Sequence, residues 1–498
     1  METVLRELVK LGKTDKFNGE LDYGAEIQSD DLFAAMREVG TDEKSKDIIE
    51  TFLEDSSAIY QSLLSICFAN FLQSTSSSEP SESLKKSRRA IRLLLNLAQR
   101  SPKFARRIPS ESVDLLETLL ATRQFNPEFL LLLVKTADGS YLEFQKSPRY
   151  SNLVERVLIM ETSDKPGDND NQTLIFAYFS TLFEKDYGFL ANCYAELTPP
   201  TFCALLDVFK AIQEKPGLPI HSNNLLFVIN LLELITVDYG AFLMAKARKE
   251  PESVEQRRKS TVEMLNVLVE IVGDMCTNTE MTSHLCEKAT AINTIVDVLD
   301  TILHSEAEFA DFREKQGPNW PELPSGANFE NLRKRIEEER RYDKMRDKQT
   351  DRPKQPPPSR LPRVEASESL QPLSEVFLQH YQTINESYHL IGELKLACLK
   401  AIANLCSLSP SNKLATLENG RMGLLSVLQC TSRRPEYFME SYAMRNWCIF
   451  CVRQLTDECQ GNKEVILGLG EPERPIIDRK RLLKEFGIEE EDLKNNSC

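Results

Sequence analysis

Apolar side chains recur three and four positions apart along almost the whole chain. In the stretch SRRAIRLLLNLAQR (87–100), Ile91, Leu94, Leu95 and Ala98 fall at i, i+3, i+4 and i+7, one face of an α-helix. Leu93 and Leu97 widen that face, which predicts a helix buried on more than one side. The same spacing predicts helices over 58–72, 111–122, 171–185, 201–213, 223–238, 261–276, 289–304, 394–408 and 441–459. No run alternates apolar and polar residues convincingly, as a half-buried strand would.

Helix starts are marked in the sequence. Asn126-Pro127-Glu128 offers a capping side chain, a proline whose missing N–H costs nothing at the first helical position, and an acid suited to the positive end of the helix dipole. Thr198-Pro199 and Ser101-Pro102 follow the same logic. The breaks KPGLP (215–219) and DKPGDND (164–170) are short. Many helices joined by short loops predict an all-α fold, specifically an armadillo/HEAT-like right-handed helical solenoid in which each helix set buries its face on its neighbours. A recurring element favours this: IRLLLNLAQ (91–99), LLFVINLLEL (225–234) and LKAIANLCSL (399–408), with a related CIFCVRQLTD at 448–457. The spacing between these copies is irregular, and a compact bundle is the alternative.

One interval breaks the pattern. From 311 to 370 the chain is charged and then proline-rich. Leu332 and Ile336 share a helical face, but Glu339 and Asp343 interrupt it, and KQPPPSRLP cannot continue a helix. The predicted organisation is therefore armadillo-like repeats over 1–310, a charged, Pro-rich linker over 311–370, an armadillo domain over 371–470 and a charged tail over 471–498.

Composition sharpens this picture. With 498 residues, 41% of them apolar, the chain has material for a sizeable core. Only 19 glycines in a leucine-rich chain disfavour turn-rich β folds and glycine-loop nucleotide folds. The net charge of −15 supplies no positive footprint for a phosphate backbone, so no nucleic-acid partner is expected. That charge is uneven: 331–354 carries ten basic and six acidic residues, a net +4, leaving −19 for the rest.

No charged-then-apolar leader follows Met1, so the 12 cysteines are expected to be reduced and intracellular, and the sequons at Asn171, Asn385 and Asn495 to be chance. Phe129–Val134 is six residues long, against about 20 for a membrane span.

Catalytic patterns are absent. Gly12-Lys13-Thr14 imitates the end of a phosphate-binding loop, but Glu7 stands where the pattern needs glycine. Cys448-x-x-Cys451 lies in an apolar helix rather than at a helix start after a strand, which points to buried structural thiols. His284, Cys286 and Cys276 have metal-binding types without a matching pair. The remaining histidines, His221, His304, His380 and His389, are scattered. The expectation is no catalytic residue, no cofactor and no metal; an enzyme with an unrecognised site would instead show a deep polar pocket with perturbed ionisable groups.

Asn96, Asn230 and Asn404 recur at like positions in the repeated element. Such asparagines either tie neighbouring segments of a solenoid together or line its groove and bond the backbone of an extended peptide. The residues four earlier are Arg92, Leu226 and Lys400, so the tryptophan ladder of import-signal receptors is missing; Tyr442 before Asn446 is a single echo. Trp447 reads as the core anchor of the last repeat or, if exposed, as a binding hot spot.

The C-terminal region carries a resemblance. Asn404-Leu405-Cys406 closes one helix; Asn412 follows, then Gly420 with Leu424, Leu425 and Leu428. After a turn come Arg445-Asn446-Trp447-Cys448-Ile449, Arg453-Gln454-Leu455, Gly461-Asn462-Lys463 and Ile466. In order and spacing this resembles the C-terminal domain of the ataxin-ten family, over about 394–470. Three of the family's motifs are altered, at Asn446-Trp447-Cys448, Arg453-Gln454-Leu455 and Asn462-Lys463, and its acidic turn is basic here, at Arg433-Arg434. The resemblance implies a non-enzymatic armadillo-repeat scaffold, cytoplasmic and found at perinuclear, midbody or ciliary-base sites. It implies roles in cytokinesis and cell division, neuronal survival, neurite outgrowth and ciliary base function. The implied partners are a heterotrimeric G-protein β subunit, the O-linked N-acetylglucosamine transferase, and a second copy of the chain. The candidate protein-binding surface is Asn96, Asn230, Asn404, Arg445, Asn446, Trp447 and Arg453. The alternative is a regulator, exchange-factor or chaperone-like, of a small or heterotrimeric G protein, with acids near 375–393 or the last repeat engaging a basic switch region.

Overall fold

The apolar stripes become helices with one or more buried faces. A computed structural model of the chain describes residues 1–13, 27–41, 44–76, 80–105, 112–121, 126–137, 150–163, 169–215, 217–237, 239, 254–287, 289–316, 373–382, 387–417, 423–430 and 438–468. Among these residues the fold is all-α, without a strand. The chain forms two compact units: Met1–Leu197 with Lys215–Asn224, and Thr198–Glu214 with Leu225 onward.

The first unit holds α1 (Glu2–Lys13), α2 (Ser29–Thr41), α3 (Ser45–Thr51), α4 (Ser56–Ser76), α5 (Pro80–Arg100), α6 (Pro102–Ala105), α7 (Ser112–Ala121), α8 (Asn126–Ala137), α9 (Tyr150–Ser163), α10 (Asn169–Lys185) and α11 (Phe189–Glu196). Helices α2, α5, α8 and α10 pack in succession, and so do α1, α4, α7 and α9, with α4 and α5 joining the two rows. Gly12 shows how closely α1 approaches α4: a Cβ there would stand 2.4 Å from the Ala58 carbonyl oxygen. The Gly12-Lys13 pair thus lies in a packed helix, and the glycine serves helix contact; Thr14 lies outside the described residues. Aromatic rings fill this core, with Tyr60 stacked on Phe104 at 4.8 Å and Phe183 meeting Phe189 edge-on at 5.4 Å.

The second unit holds α12 (Pro199–Gln213), α13 (Ser222–Val237, from Leu225), α14 (Val254–Asp274), α15 (Thr279–Glu287), α16 (Thr290–Gln316), α17 (Leu373–Gln382), α18 (Ser387–Leu408), α19 (Pro410–Ala415), α20 (Gly423–Gln429), α21 (Phe438–Thr456) and α22 (Gln460–Gly468). Thr198 caps α12, its side chain accepting from the Thr201 N–H, with Pro199 in the first turn. Long helices α12, α14, α18 and α21 pack in succession; the short helices α15, α19 and α22 form a second succession, and α16 packs on α17, α18 and α20. Lys395 of α18 and Glu306 of α16 form a largely buried ion pair, Nζ lying 2.8 and 2.9 Å from the two carboxylate oxygens. Ser305 of α16 donates to the Ser374 carbonyl of α17 at 3.0 Å.

The predicted boundary at 310 falls inside α16, and the compact units divide elsewhere. Helices α14–α16, before 317–372, pack directly on α17–α21 after it. The reason is the apolar face of α16, whose Ile295, Val296, Leu299, Ile302 and Leu303 are buried. The expected linker beyond Gln316, Gly420, the Arg433-Arg434 turn and the tail at 471–498 lie outside the described residues.

Candidate functional site

The seven predicted surface residues divide between the two units. Asn96 belongs to the first unit, the other six to the second. Asn96 donates from Nδ2 to the Met36 carbonyl at 3.2 Å, and Arg100, one turn later, reaches the Val39 carbonyl at 3.1 Å. Arg100 serves the Val39 carbonyl in the last turn of α2, which the helix itself leaves without a donor, and Asn96 adds a bond to the Met36 carbonyl just before that turn. Asn404 does the same for α14, donating to the Gly273 carbonyl at 3.3 Å, and Gln213 of α12 donates to Ile271 of that helix at 3.0 Å. Asn96 and Asn404 therefore spend a donor on the neighbouring helix, whereas Asn230 is exposed on α13.

Two further asparagines, which the pattern reading passed over as surface candidates, define a repeat. Asn412 donates to the Leu405 carbonyl at 2.8 Å, and Asn462, fifty residues on, donates to Leu455 at 2.9 Å. Both side chains are fully buried. Asn462 also reaches the Lys413 carbonyl at 3.3 Å, and Lys413 Nζ in turn donates to the Asp457 carbonyl at 2.7 Å. Each short helix is thereby fastened to the end of the long helix before it. The signal was present in the sequence as the same spacing from Leu405 to Asn412-Lys413 and from Leu455 to Asn462-Lys463.

Arg445, Asn446, Trp447 and Arg453 lie on α21. Cys448, Cys451, Val452 and Leu455 turn inward, which leaves Asn446, Phe450 and Arg453 as an outward stripe at i, i+4 and i+7. Arg445 is exposed beside this stripe. Trp447 is half-buried rather than a core anchor, because it sits where the buried face meets the stripe. Phe450, 43% exposed, meets the Trp447 ring edge-on at 5.7 Å, and Lys400 Nζ of α18 stands 5.7 Å from the ring centroid. The lysine four residues before Asn404 is thus paired with a tryptophan supplied by the next helix, a cation–π contact that same-helix spacing could not show.

Toward α14 and α12 the same unit becomes acidic. Lys210 Nζ lies 2.6 Å from Glu270 and 3.9 Å from Glu214. Burial raises the Asp207 and Asp274 carboxyls above the ordinary carboxylate range; Lys210 opposes this in both, nearby glutamates add to it, and Lys400 opposes it for Asp274. Burial works against the Lys210 ammonium, but Glu270, Glu214 and Asp274 outweigh it and its pKa lies above the ordinary value. The surface therefore runs from carboxylates on α12 and α14, through Lys400, to the aromatic and arginine stripe of α21. Such a surface can hold a protein segment by ion pairs at one end and by aromatic packing at the other.

Among the described residues no group of three or more His, Cys, Asp or Glu is placed to hold a metal ion, and no helix is long and apolar enough to cross a membrane.

No family model matches the chain, and no curated protein matches it. Among solved structures the chain is similar to an engineered protein, at 14% identity over 97% of this chain and 88% of that one, with a TM-score of 0.29. A likeness that slight carries no argument, and function has to be read from the residues themselves.

Proposed function

We propose that the chain is a non-enzymatic helical-repeat scaffold of the ataxin-ten type, an armadillo/HEAT-like right-handed solenoid that presents an exposed helix face to protein partners. The observation that carries the reading is the repeated fastening Asn412–Leu405 and Asn462–Leu455, two copies of one hydrogen-bond device fifty residues apart. In solenoids each repeat contacts its neighbours and the exposed faces of successive helices form an extended binding surface. The succession α12, α14, α18, α21 supports that reading, with Asn446, Phe450 and Arg453 as the face of its last helix.

The proposed partners are those the family resemblance implies: a heterotrimeric G-protein β subunit, the O-linked N-acetylglucosamine transferase and a second copy of the chain. The proposed setting is the cytoplasm, in cell division and neurite outgrowth. The test is binding of the purified chain to each of these proteins by calorimetry, with Phe450→Ala and Arg453→Glu as surface variants. A hot-spot aromatic removes about 2 kcal/mol or more of binding energy when truncated, a loss of about thirtyfold. No binding by the wild-type chain, or equal binding by the variants, would overturn the reading. Accelerated nucleotide release from a G protein in the presence of the chain would favour the regulator instead.

A further inference from the structure

Helix phase decides what a neighbour can meet, because residues three, four and seven apart share one side of a helix. Along α12 and its C-terminal cap, Asp207, Lys210 and Glu214 fall on one such side. Along α14, Glu263, Asn266, Glu270 and Asp274 do the same. Asp207 and Glu214 are exposed, and the others are half-buried. Lys210 joins the two stripes, its Nζ lying 2.6 Å from Glu270 and 3.9 Å from Glu214. The packing of α14 on α18 carries the surface onward. Asn404 donates to the Gly273 carbonyl at 3.3 Å, and Lys400, one turn earlier, stands 5.7 Å from the Trp447 ring of α21. One face thus runs over four successive helices of the second unit.

The chemistry of this face is one-sided. Five carboxylates, on Asp207, Glu214, Glu263, Glu270 and Asp274, meet two lysines, Lys210 and Lys400. Like charges this close repel, and a cation from outside relieves the repulsion. Among the described residues these acids do not gather around one point as metal ligands would. A second observation calls for a hydrogen-bond donor rather than bare charge. The Asn266 Oδ1 atom, on the stripe between Glu263 and Glu270, is buried and meets no donor among the described residues. An orphaned buried acceptor is costly. Because Asn266 as a whole is half-buried, turning its amide brings the oxygen out to an incoming N–H.

We infer that this face docks an extended, lysine- or arginine-bearing segment of a partner protein, its cations pairing with the carboxylates of α12 and α14 and a backbone N–H meeting Asn266. An extended chain sends alternate side chains to one side about 7 Å apart. Packed helices lie about 8–10 Å apart, so cations two residues apart on flexible stems reach carboxylates of adjacent helices. The negative sign of the face repels a nucleic acid. The inference rests on the scaffold reading only in that both need these helices to present one face. The basic segment is held at α12 and α14, not at Phe450 and Arg453 of α21.

The test uses the full chain and a fluorescein-labelled peptide of four Lys-Ala repeats, followed by fluorescence anisotropy. The expected result is saturable binding that weakens several-fold from low to physiological salt, with no binding of the matching Glu-Ala peptide. Carbodiimide, which joins carboxylates to amines, should couple the peptide to Asp207, Glu214 or Glu263. The double variant Asp207→Lys, Glu263→Lys should weaken binding about tenfold or more. Asn266→Ala, which leaves the charge unchanged, should weaken it about fivefold. Circular dichroism establishes that the variants fold, and coupling to the wild-type chain decides the matter if they do not. No saturable binding, displacement by spermine as complete as by unlabelled peptide, or coupling elsewhere on the chain overturns the inference. Coupling within the chain alone, from these carboxylates to Lys334, Lys344, Lys348 or Lys354, does so as well, because its own basic segment then fills the face. Peptide binding without binding of the three proteins proposed above upholds this face and removes those partners; the reverse removes this face alone.

Discussion

The segment from α18 to α19 and the segment fifty residues later, from α21 to α22, share a skeleton and differ in their faces. Both keep a buried asparagine that donates to the carbonyl seven residues before it. Both keep a following lysine with its stem buried, at Lys413 and Lys463. What changes is the outer side. Ala403 is fully buried in the first segment, and its counterpart Arg453 is exposed in the second. Lys400 is half-buried over Trp447, and its counterpart Phe450 is exposed. Lys413 reaches the Asp457 carbonyl, and no such bond is made at Lys463 among the described residues. The hydrogen bonds that orient the helices are fixed, while the outer positions vary with whether a helix among the described residues lies against them.

Exchanging the faces puts this contrast under the greatest strain. Ala403→Arg places an unpaired charge in a filled interior and should cost about 4 kcal/mol or more, a large fraction of a domain's stability. Arg453→Ala, its mirror image, removes an exposed side chain and should cost about 1 kcal/mol or less. Urea denaturation of both variants measures the difference, and similar costs would show that the two faces are not covered differently.

The shared skeleton is tested next. Asn462→Ala strands the Leu455 carbonyl, at about 1–3 kcal/mol, and takes one of two donors from the Lys413 carbonyl, which Thr416 Oγ1 also serves, so it should cost about 2–4 kcal/mol in all. Asn412→Ala strands only the Leu405 carbonyl and should cost about 1–3 kcal/mol. Equal denaturation midpoints would mean that the second bond of Asn462 contributes nothing.

A smaller effect separates the lysines. Lys413→Met removes a charged donor from a helix-end carbonyl and should destabilise by about 1–2 kcal/mol. Lys463→Met should be nearly neutral. A cost at Lys463 as large as at Lys413 would reveal an acceptor outside the described residues.

The smallest effect is electrostatic. Lys400 opposes the upward shift of the Asp274 carboxyl, so Lys400→Met should raise that pKa further. Because the folded-state value lies above the unfolded one, Asp274 contributes stability that is full below the unfolded pKa and lost as pH rises through the folded pKa. The variant should extend that loss to higher pH, and a carboxyl titration followed by NMR should show the displacement. An unchanged Asp274 titration would place Lys400 out of its electrostatic reach.

Much of the fold was legible because long helices repeat their apolar pattern over several turns. The stretch 201–213 became α12, 394–408 became most of α18, and the capping role of Thr198 followed from Thr-Pro alone. Short helices offered no such signal: α19 has six residues, less than two turns, and it is held by Asn412 rather than by a stripe. The pairing of Lys395 with Glu306 was invisible because 89 residues separate them. Of the candidate surface, Asn404 and Asn96 proved to be inter-helix ties. Phe450 was overlooked because an aromatic in an apolar helix reads as core until the helix phase is known.

The meeting of α16 with α17 and α18 has a consequence for the speed of folding. The 56 residues at 317–372 leave from Gln316 and return at Leu373, two points on helices that pack against each other. Their ends are held by contacts that do not depend on what lies between. The unit is therefore assembled by contacts between residues far apart along the chain, and such non-local pairings slow folding because distant segments must meet before the contacts stabilise them.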